Sequence, residues 1–199
     1  MKYELTAETK VFFGITLHRI RALVEISAHS VAKGDLGGWV EKEGNLSHDG
    51  NAWVSGNAWV SGDAWVYGDA WVYGDARVYG DAEVYGNAMV SGNAMVYGNA
   101  MVYGDARVSG DARVSGLEAL CAFVGFGSVY RQTTAFIDAK IGIRIVCGCF
   151  TGTLDQFRAS IIKTHGADSK NGKLYLGMAN MIEYRLGDLA ASSPTGEKE

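Results

Sequence analysis

Four histidines (His18, His29, His48 and His165) and three cysteines (Cys121, Cys147 and Cys149) are the first places to look for chemistry in this chain. Cys147-x-Cys149 together with His165 offers thiolate and imidazole donors, but a fourth ligand for a tetrahedral metal site is not apparent. Two cysteines one residue apart in a strand lie on one face, so buried thiols packing a small domain are the simpler expectation. His165 stands directly before Gly166, as a helix C-cap histidine interacting with the dipole would. No Ser-His-Asp, P-loop or Rossmann pattern occurs, and neither a metal nor a cofactor is expected.

Composition narrows the classes further. The chain has 199 residues, 48% of them hydrophobic, and a formal charge of -4. That is enough to bury a core, and it lacks the positive field of a general nucleic-acid binder. The N-terminal MKYELTAETK has no apolar stretch of signal-peptide length, and no apolar run approaches a membrane span, so a cytosolic protein without a membrane partner is expected. An odd number of cysteines without framework spacing suits reduced thiols.

The elements that must position any site come from a repeat. Twenty-seven glycines stand against a single proline, Pro194, and four of the five tryptophans recur at regular intervals. From Gly50 to Ser115 the sequence is eleven unbroken hexads of the form Gly-(Asp/Asn)-Ala-x-Val-(Ser/Tyr), beginning GNAWVS and ending GDARVS. Ala and Val, separated by one residue, share the inner face of a short strand, while x and the following Ser or Tyr point outward. The Gly-Asp or Gly-Asn pair is a turn signal, so a corner recurs every six residues.

This pattern resembles the hexapeptide-repeat left-handed parallel β-helix, over the 66 residues from 50 to 115. The resemblance implies three hexads per coil of 18 residues, about 3.7 coils, and a prism roughly 18 Å tall at the usual strand spacing. An internal check favours 18 over 12: at that spacing the corners read Asn51, Asp69, Asn87, Asp105 and Asn57, Asp75, Asn93, Asp111, so carboxylates alternate with amides. A spacing of 12 would stack more carboxylates on each other. Each inward Val contributes on the order of 1.5–3 kcal/mol, which offsets chain ordering only when coils stack.

The resemblance also raises acyltransferase activity at a subunit interface, with His48 or His165 as base. Yet no histidine lies within the regular hexads and no loop interrupts them, so a non-enzymatic protein is the first expectation. The histidine triad of β-helical carbonic anhydrases and the outward threonine rows of ice-binding proteins are missing.

Flanking segments should cover the open coil edges. Residues 1–49 are expected to form an N-terminal β cap with a strand at 16–24 and a degenerate first coil. The GDLGGWVEKEGNLS stretch resembles the lead-in of repeat proteins common in prophages. Residues 117–189 are expected to form a small α+β domain: two or three strands with a turn near Asp138 to Gly142, then a helix opened by the capping box Thr153-Leu-Asp-Gln156. That helix should carry Leu154, Phe157, Ile161 and Ile162 on one side and end at His165-Gly166. A second helix is expected over 174–186, and a disordered tail over 190–199. The CGCFTGTLDQF…THG run resembles a C-terminal module of phage-encoded proteins. The whole is therefore expected to be mainly β.

What remains for function is the outer surface. At 18-residue spacing the first face carries Trp53, Trp71, Met89 and Arg107 beside Tyr73. The second carries Trp59, Arg77, Met95 and Arg113 beside Tyr79 and Tyr97, and the third stacks Tyr67, Tyr85 and Tyr103 beside Trp65, Glu83 and Met101. Such aromatic density suggests an interface, or else ladders that only stabilise the stacked strands. The candidate binding residues are Trp65, Tyr67, Tyr85 and Tyr103, with Arg77, Arg107 and Arg113 available to phosphates. Arg131, Gln132, Thr133 and Thr134, expected between two strands, complete the set as a recognition segment. The expected partners are further copies of the chain, as a dimer or trimer burying one face, and a nucleotide signal or a host defence protein. The resemblance of the flanking segments to phage-type proteins implies a phage or prophage binding protein that antagonises host defence, with an acyltransferase or a structural virion component as alternatives.

Overall fold

The computed structural model describes residues 1–126 and 132–192. Each of the eleven hexads forms one two-residue strand at its x-Val pair, from β4 (Trp53–Val54) at six-residue intervals to β14 (Arg113–Val114). Strands 18 residues apart pair in parallel, Trp53 on Trp71, Met89 and Arg107 along one face. Trp59, Arg77, Met95 and Arg113 align along the second, and Trp65, Glu83 and Met101 along the third. The chain is thus mainly β, a parallel solenoid with three faces and 18 residues per coil.

The hexad's chemistry explains its regularity. Every repeat Ala and Val side chain is buried, which closes a continuous core through the whole stack. The corner glycines from Gly50 to Gly110 all take φ between 63 and 75°, a region that strains any residue bearing a Cβ. At Gly86 an added Cβ would also lie 2.9 Å from the Gly104 amide nitrogen, so packing between coils excludes it as well. Along the corners, the amides of Asn51, Asn57, Asn87 and Asn93 donate to the carboxylates of Asp69, Asp75, Asp105 and Asp111 one coil above. The alternation therefore gives each of these amides a carboxylate acceptor one coil above.

The N-terminal segment is a hairpin of β1 (Tyr3–Phe12) and β2 (Ile15–Ala22), followed by β3 (Leu36–Val40), and it extends the second face. The expected strand at 16–24 corresponds to β2, whereas β1 was not anticipated: its outward residues are mostly charged or polar. The degenerate coil is two residues longer than the others, because Trp39 pairs with Trp59 and Val40 with Val60. The tip of the hairpin turns over the second face, where Phe12 packs on Trp59 and the Arg77 guanidinium lies over the Phe12 ring.

After the last hexad, β15 (Leu120–Phe123), β16 (Thr133–Asp138), β17 (Gly142–Cys147) and β18 (Phe150–Thr153) form an antiparallel sheet. One side of it joins the solenoid core through Leu120, Phe136 and Val146. The other packs Cys121, Ala135, Ile137 and Ile145 against two helices, α1 (Leu154–His165) and α2 (Lys170–Ser192). The C-terminal region is thus two layers laid across the end of the prism.

Thr153 and Gln156 form the expected capping box, and Gly166 ends α1. Leu154, Phe157 and Ile161 are buried, but Ile162 is exposed, since it lies one residue beyond the inward stripe. Helix α2 begins earlier and ends later than 174–186, because Leu186 is fully buried and Leu189 and Ala190 pack on the same core. It therefore covers the start of the expected tail, whose remaining residues, 193–199, lie outside the described residues.

Candidate functional site

The third face gathers the aromatic candidates into one column. Trp65 stacks on Tyr67 with ring centroids 4.0 Å apart, Tyr67 on Tyr85 at 4.8 Å and Tyr85 on Tyr103 at 5.6 Å. The 18-residue spacing places the tyrosines over one another after Val66, Val84 and Val102, and the outward turn of each strand end leaves their faces parallel. The Tyr67 hydroxyl donates to Glu83, 3.0 Å away. Burial, then that hydrogen bond and the Glu83 charge, push the Tyr67 hydroxyl up to about 12, and burial raises Tyr85 as well.

Exposure separates this face from the other two. Trp53 at the base of the first face is buried, and Trp71 is stacked against His29. On the second face Trp39 and Trp59 are buried with Leu17, Phe12 and Ile15 of the N-terminal hairpin. On the third, Trp65 keeps 43% and Tyr103 44% of their surface in solvent. Of the outward tryptophans expected at an interface, only Trp65 is therefore exposed.

The arginines do not join the column. Arg77 and Arg113 belong to the second face and Arg107 to the first. On the second face Tyr79 and Tyr97 stack at 5.1 Å beside Arg77 and Arg113, so that surface combines a tyrosine pair with two arginines, apart from the third-face column.

The expected recognition segment at 131–134 has a different role. Arg131 lies outside the described residues. Thr133 and Thr134 do not sit between strands: both are buried at the start of β16, where Thr133 donates to the Cys147 sulfur. Gln132 accepts from the Asp105 amide at 2.9 Å and Thr134 from the Arg107 amide at 3.4 Å. Asp138, buried and paired with Arg144 at 2.8 Å, accepts from the Asp111 amide. Thr134 and Asp138 share one face of β16, with Gln132 just before the strand, and that face closes the solenoid.

The histidines and cysteines form no common centre. His48 accepts from the Lys2 amide, contacts Glu43 at 2.9 Å and stacks on Tyr3. His165 stacks on Tyr175 beyond α1. Cys121 is buried, and burial raises its thiol, while Cys147 ends β17 and Cys149 is exposed in the following turn. Cys147 and Cys149 therefore do not share a strand face, and Cys149 is not the buried thiol expected from the sequence. Among the described residues no group of three or more His, Cys, Asp or Glu is arranged to hold a metal ion.

A concavity of about 290 Å³ at the N-terminal end is lined by Lys2, Glu25, His48 and Asn51 among others. Its strongest donor is engaged: the buried Lys2 ammonium donates to the Ala52 carbonyl at 2.7 Å and to that of Gly50 at 3.3 Å. Burial brings Lys2 down to about 8 despite the opposing pull of Asp49 and Asp69. Neither Lys2 nor its neighbour in function, Asn45, stood out in the sequence; no local pattern marks a lone polar residue that caps a coil 17 to 50 positions away.

Among known families, the model described as the YdcK beta solenoid repeat matches residues 52–68, 82–97 and 94–108. The similarity lies wholly within the hexads and supports the repeat solenoid. No curated protein matches the chain. Among the described residues no helix is long and apolar enough to cross a membrane.

Proposed function

We propose that this is a non-catalytic binding protein in which a rigid solenoid presents its third face to a protein partner. The carrying observation is the difference in cover of the aromatic residues: Trp39, Trp53 and Trp59 are buried and Trp71 half-buried beneath the N-terminal segment, while Trp65 and Tyr103 at the two ends of the tyrosine column are exposed. A flat, preordered aromatic surface loses little conformational entropy on binding and supplies large apolar area, as interface anchors do. Its flatness suits a protein surface better than an enclosed nucleotide, and the nearest cationic repeats lie on other faces. The phage or prophage setting suggested by the flanking segments fits an antagonist that blocks a host defence protein, acting in the bacterial cytosol.

A photo-crosslinking amino acid placed at Glu83, in the middle of the column, tests this in the bacterial host. The expected result is one discrete protein adduct, lost when Trp65 and Tyr85 are both replaced by alanine and absent when the probe stands at Met89 on the first face. No adduct from position 83, or equal adducts from both faces, would overturn the proposal. A nucleotide released on denaturing the purified protein, and lost with the same alanine pair, would instead assign the face to a small ligand.

A further inference from the structure

Helix α2 has two apolar sides, and the fold uses one. Met178, Ala179, Ile182 and Leu186 are buried against the sheet and α1. On the opposite side Leu174, Met181 and Tyr184 keep 41%, 49% and 92% of their surface exposed. With Gly177 they recur three and four residues apart, the spacing of a helix-pairing seam. The seam spans about 15 Å of helix.

We infer that this seam pairs antiparallel with the same helix of a second copy of the chain. The argument is the symmetry of the residues about Ala179. Gly177 and Met181 lie two positions to either side, Leu174 and Tyr184 five, Lys170 and Asp188 nine. An antiparallel partner centred on Ala179 therefore sets each Met181 against the partner's Gly177, where nothing lies within 4 Å of an added Cβ. It sets each Tyr184 on the partner's Leu174, and at both ends an exposed Lys170 meets an Asp188. Every layer pairs large with small, apolar with apolar, or cation with anion. A parallel arrangement would put Lys170 on Lys170 and Asp188 on Asp188, and leave Gly177 facing Gly177. At 100° per residue Lys170 and Asp188 both fall on the midline of the seam. Lys173 and Arg185 fall on its opposite edges, which an antiparallel two-fold keeps apart.

This interface lies on the helical layer and leaves the solenoid faces free, so the solenoid need not bury a face to dimerise. A seam this short predicts an association that depends on concentration across the micromolar range. Sedimentation equilibrium of the full chain from about 1 to 200 μM, a span bracketing such a Kd, tests it. The expected result is a monomer–dimer equilibrium, weakened at least about tenfold by Met181→Glu or by Gly177→Leu. Lys170→Asp alone and Asp188→Lys alone should each weaken it, and the two together should restore it. Unchanged far-UV circular dichroism shows that each variant is folded. A monomer at every concentration overturns the inference. So does a dimer indifferent to Met181→Glu, or one in which the double charge exchange fails to restore association.

Discussion

At the N-terminal end of the solenoid the buried side chains of Lys2 and Asn45 donate to coil carbonyls, and at the C-terminal end Gln132, Thr134 and Asp138 accept from coil amides. Lys2 donates to the carbonyls of Gly50 and Ala52, and Asn45 donates to those of Gly62 and Ala64. Backbone amides of Trp39, Glu41 and Ser47 close the carbonyls of Ala58, Val60 and Val66. At the other end Gln132, Thr134 and Asp138 accept from the amides of Asp105, Arg107 and Asp111. The difference follows from parallel stacking. Outward residues send their N–H groups to the next coil, Trp53 to Ala70 and Ser55 to Val72, so the first coil is left with free carbonyls and the last with free amides. Buried groups of either kind must be satisfied. A stack of identical coils thus has chemically distinct ends, and copies of one cap cannot serve both.

The largest expected effect is at the accepting end. Asp138 is fully buried, paired with Arg144, and accepts from the amides of Lys140 and Ile141 as well as from Asp111. Asp138→Ala leaves Arg144 without its partner inside the structure and orphans the coil amide, which should cost about 3–5 kcal/mol in urea denaturation. A loss below 1 kcal/mol would mean that the sheet, not its acceptors, closes the solenoid.

Reversing polarity at the donating end is the sharper comparison. Asn45 is fully buried and its amide nitrogen reaches two carbonyls, at 3.0 and 2.8 Å. Asn45→Ala should cost about 1–3 kcal/mol by leaving those carbonyls unsatisfied. Asn45→Asp should cost more, because a carboxylate oxygen then faces carbonyl oxygens. Equal losses for the two variants would break the claim that this end requires a donor.

The N-terminal end and the third face also separate in their response to alkali. Lys2 holds its proton to about 8 in the folded chain against 10.5 when unfolded. Between those values the unfolded chain binds more protons, so stability rises with pH over that window. Below about 8 the protonated side chain caps its carbonyls at an electrostatic penalty, and the neutral amine still donates to both. Tyr67 behaves oppositely: 10 unfolded and about 12 folded, so stability is lost as pH climbs from 10 to 12. Thermal unfolding from pH 7.5 to 12 should show a rise and then a fall, on the scales just given. Lys2→Met should flatten the first limb and Tyr67→Phe should reduce the second.

How much of this was readable follows from range. The hexad writes its own geometry: the inward Ala and Val, the glycine corners and the Asn–Asp ladder need only the period, and the columns of the third face follow by counting. Thr153 to Gln156 is equally local. The caps are not, because Lys2, Asn45 and Asp138 act on coils far along the chain, and nothing beside them in sequence signals that task. Thr133 and Thr134 misled for the same reason, since polar residues before an apolar run read as a loop until the coil edge that they face is known. The difference between open and covered faces was likewise hidden, because it depends on where the β1–β2 hairpin folds back.

The pair Thr133 and Thr134 carries the smallest predicted effects and tests the cap at single-bond resolution. Its methyl and hydroxyl are both buried, and the hydroxyl is the acceptor for the Arg107 amide at 3.4 Å. Thr134→Val keeps the shape and removes that acceptor, so it should cost about 1 kcal/mol, near the value of one neutral hydrogen bond. Thr133→Val, one residue away on the helix side of β16, removes only the bond to the Cys147 sulfur and should cost less. Hydrogen exchange distinguishes the two: loss of protection at the Arg107 amide should accompany the first substitution and not the second. If both variants exposed that amide equally, the alternation along β16 would not be what divides solenoid cap from helical layer.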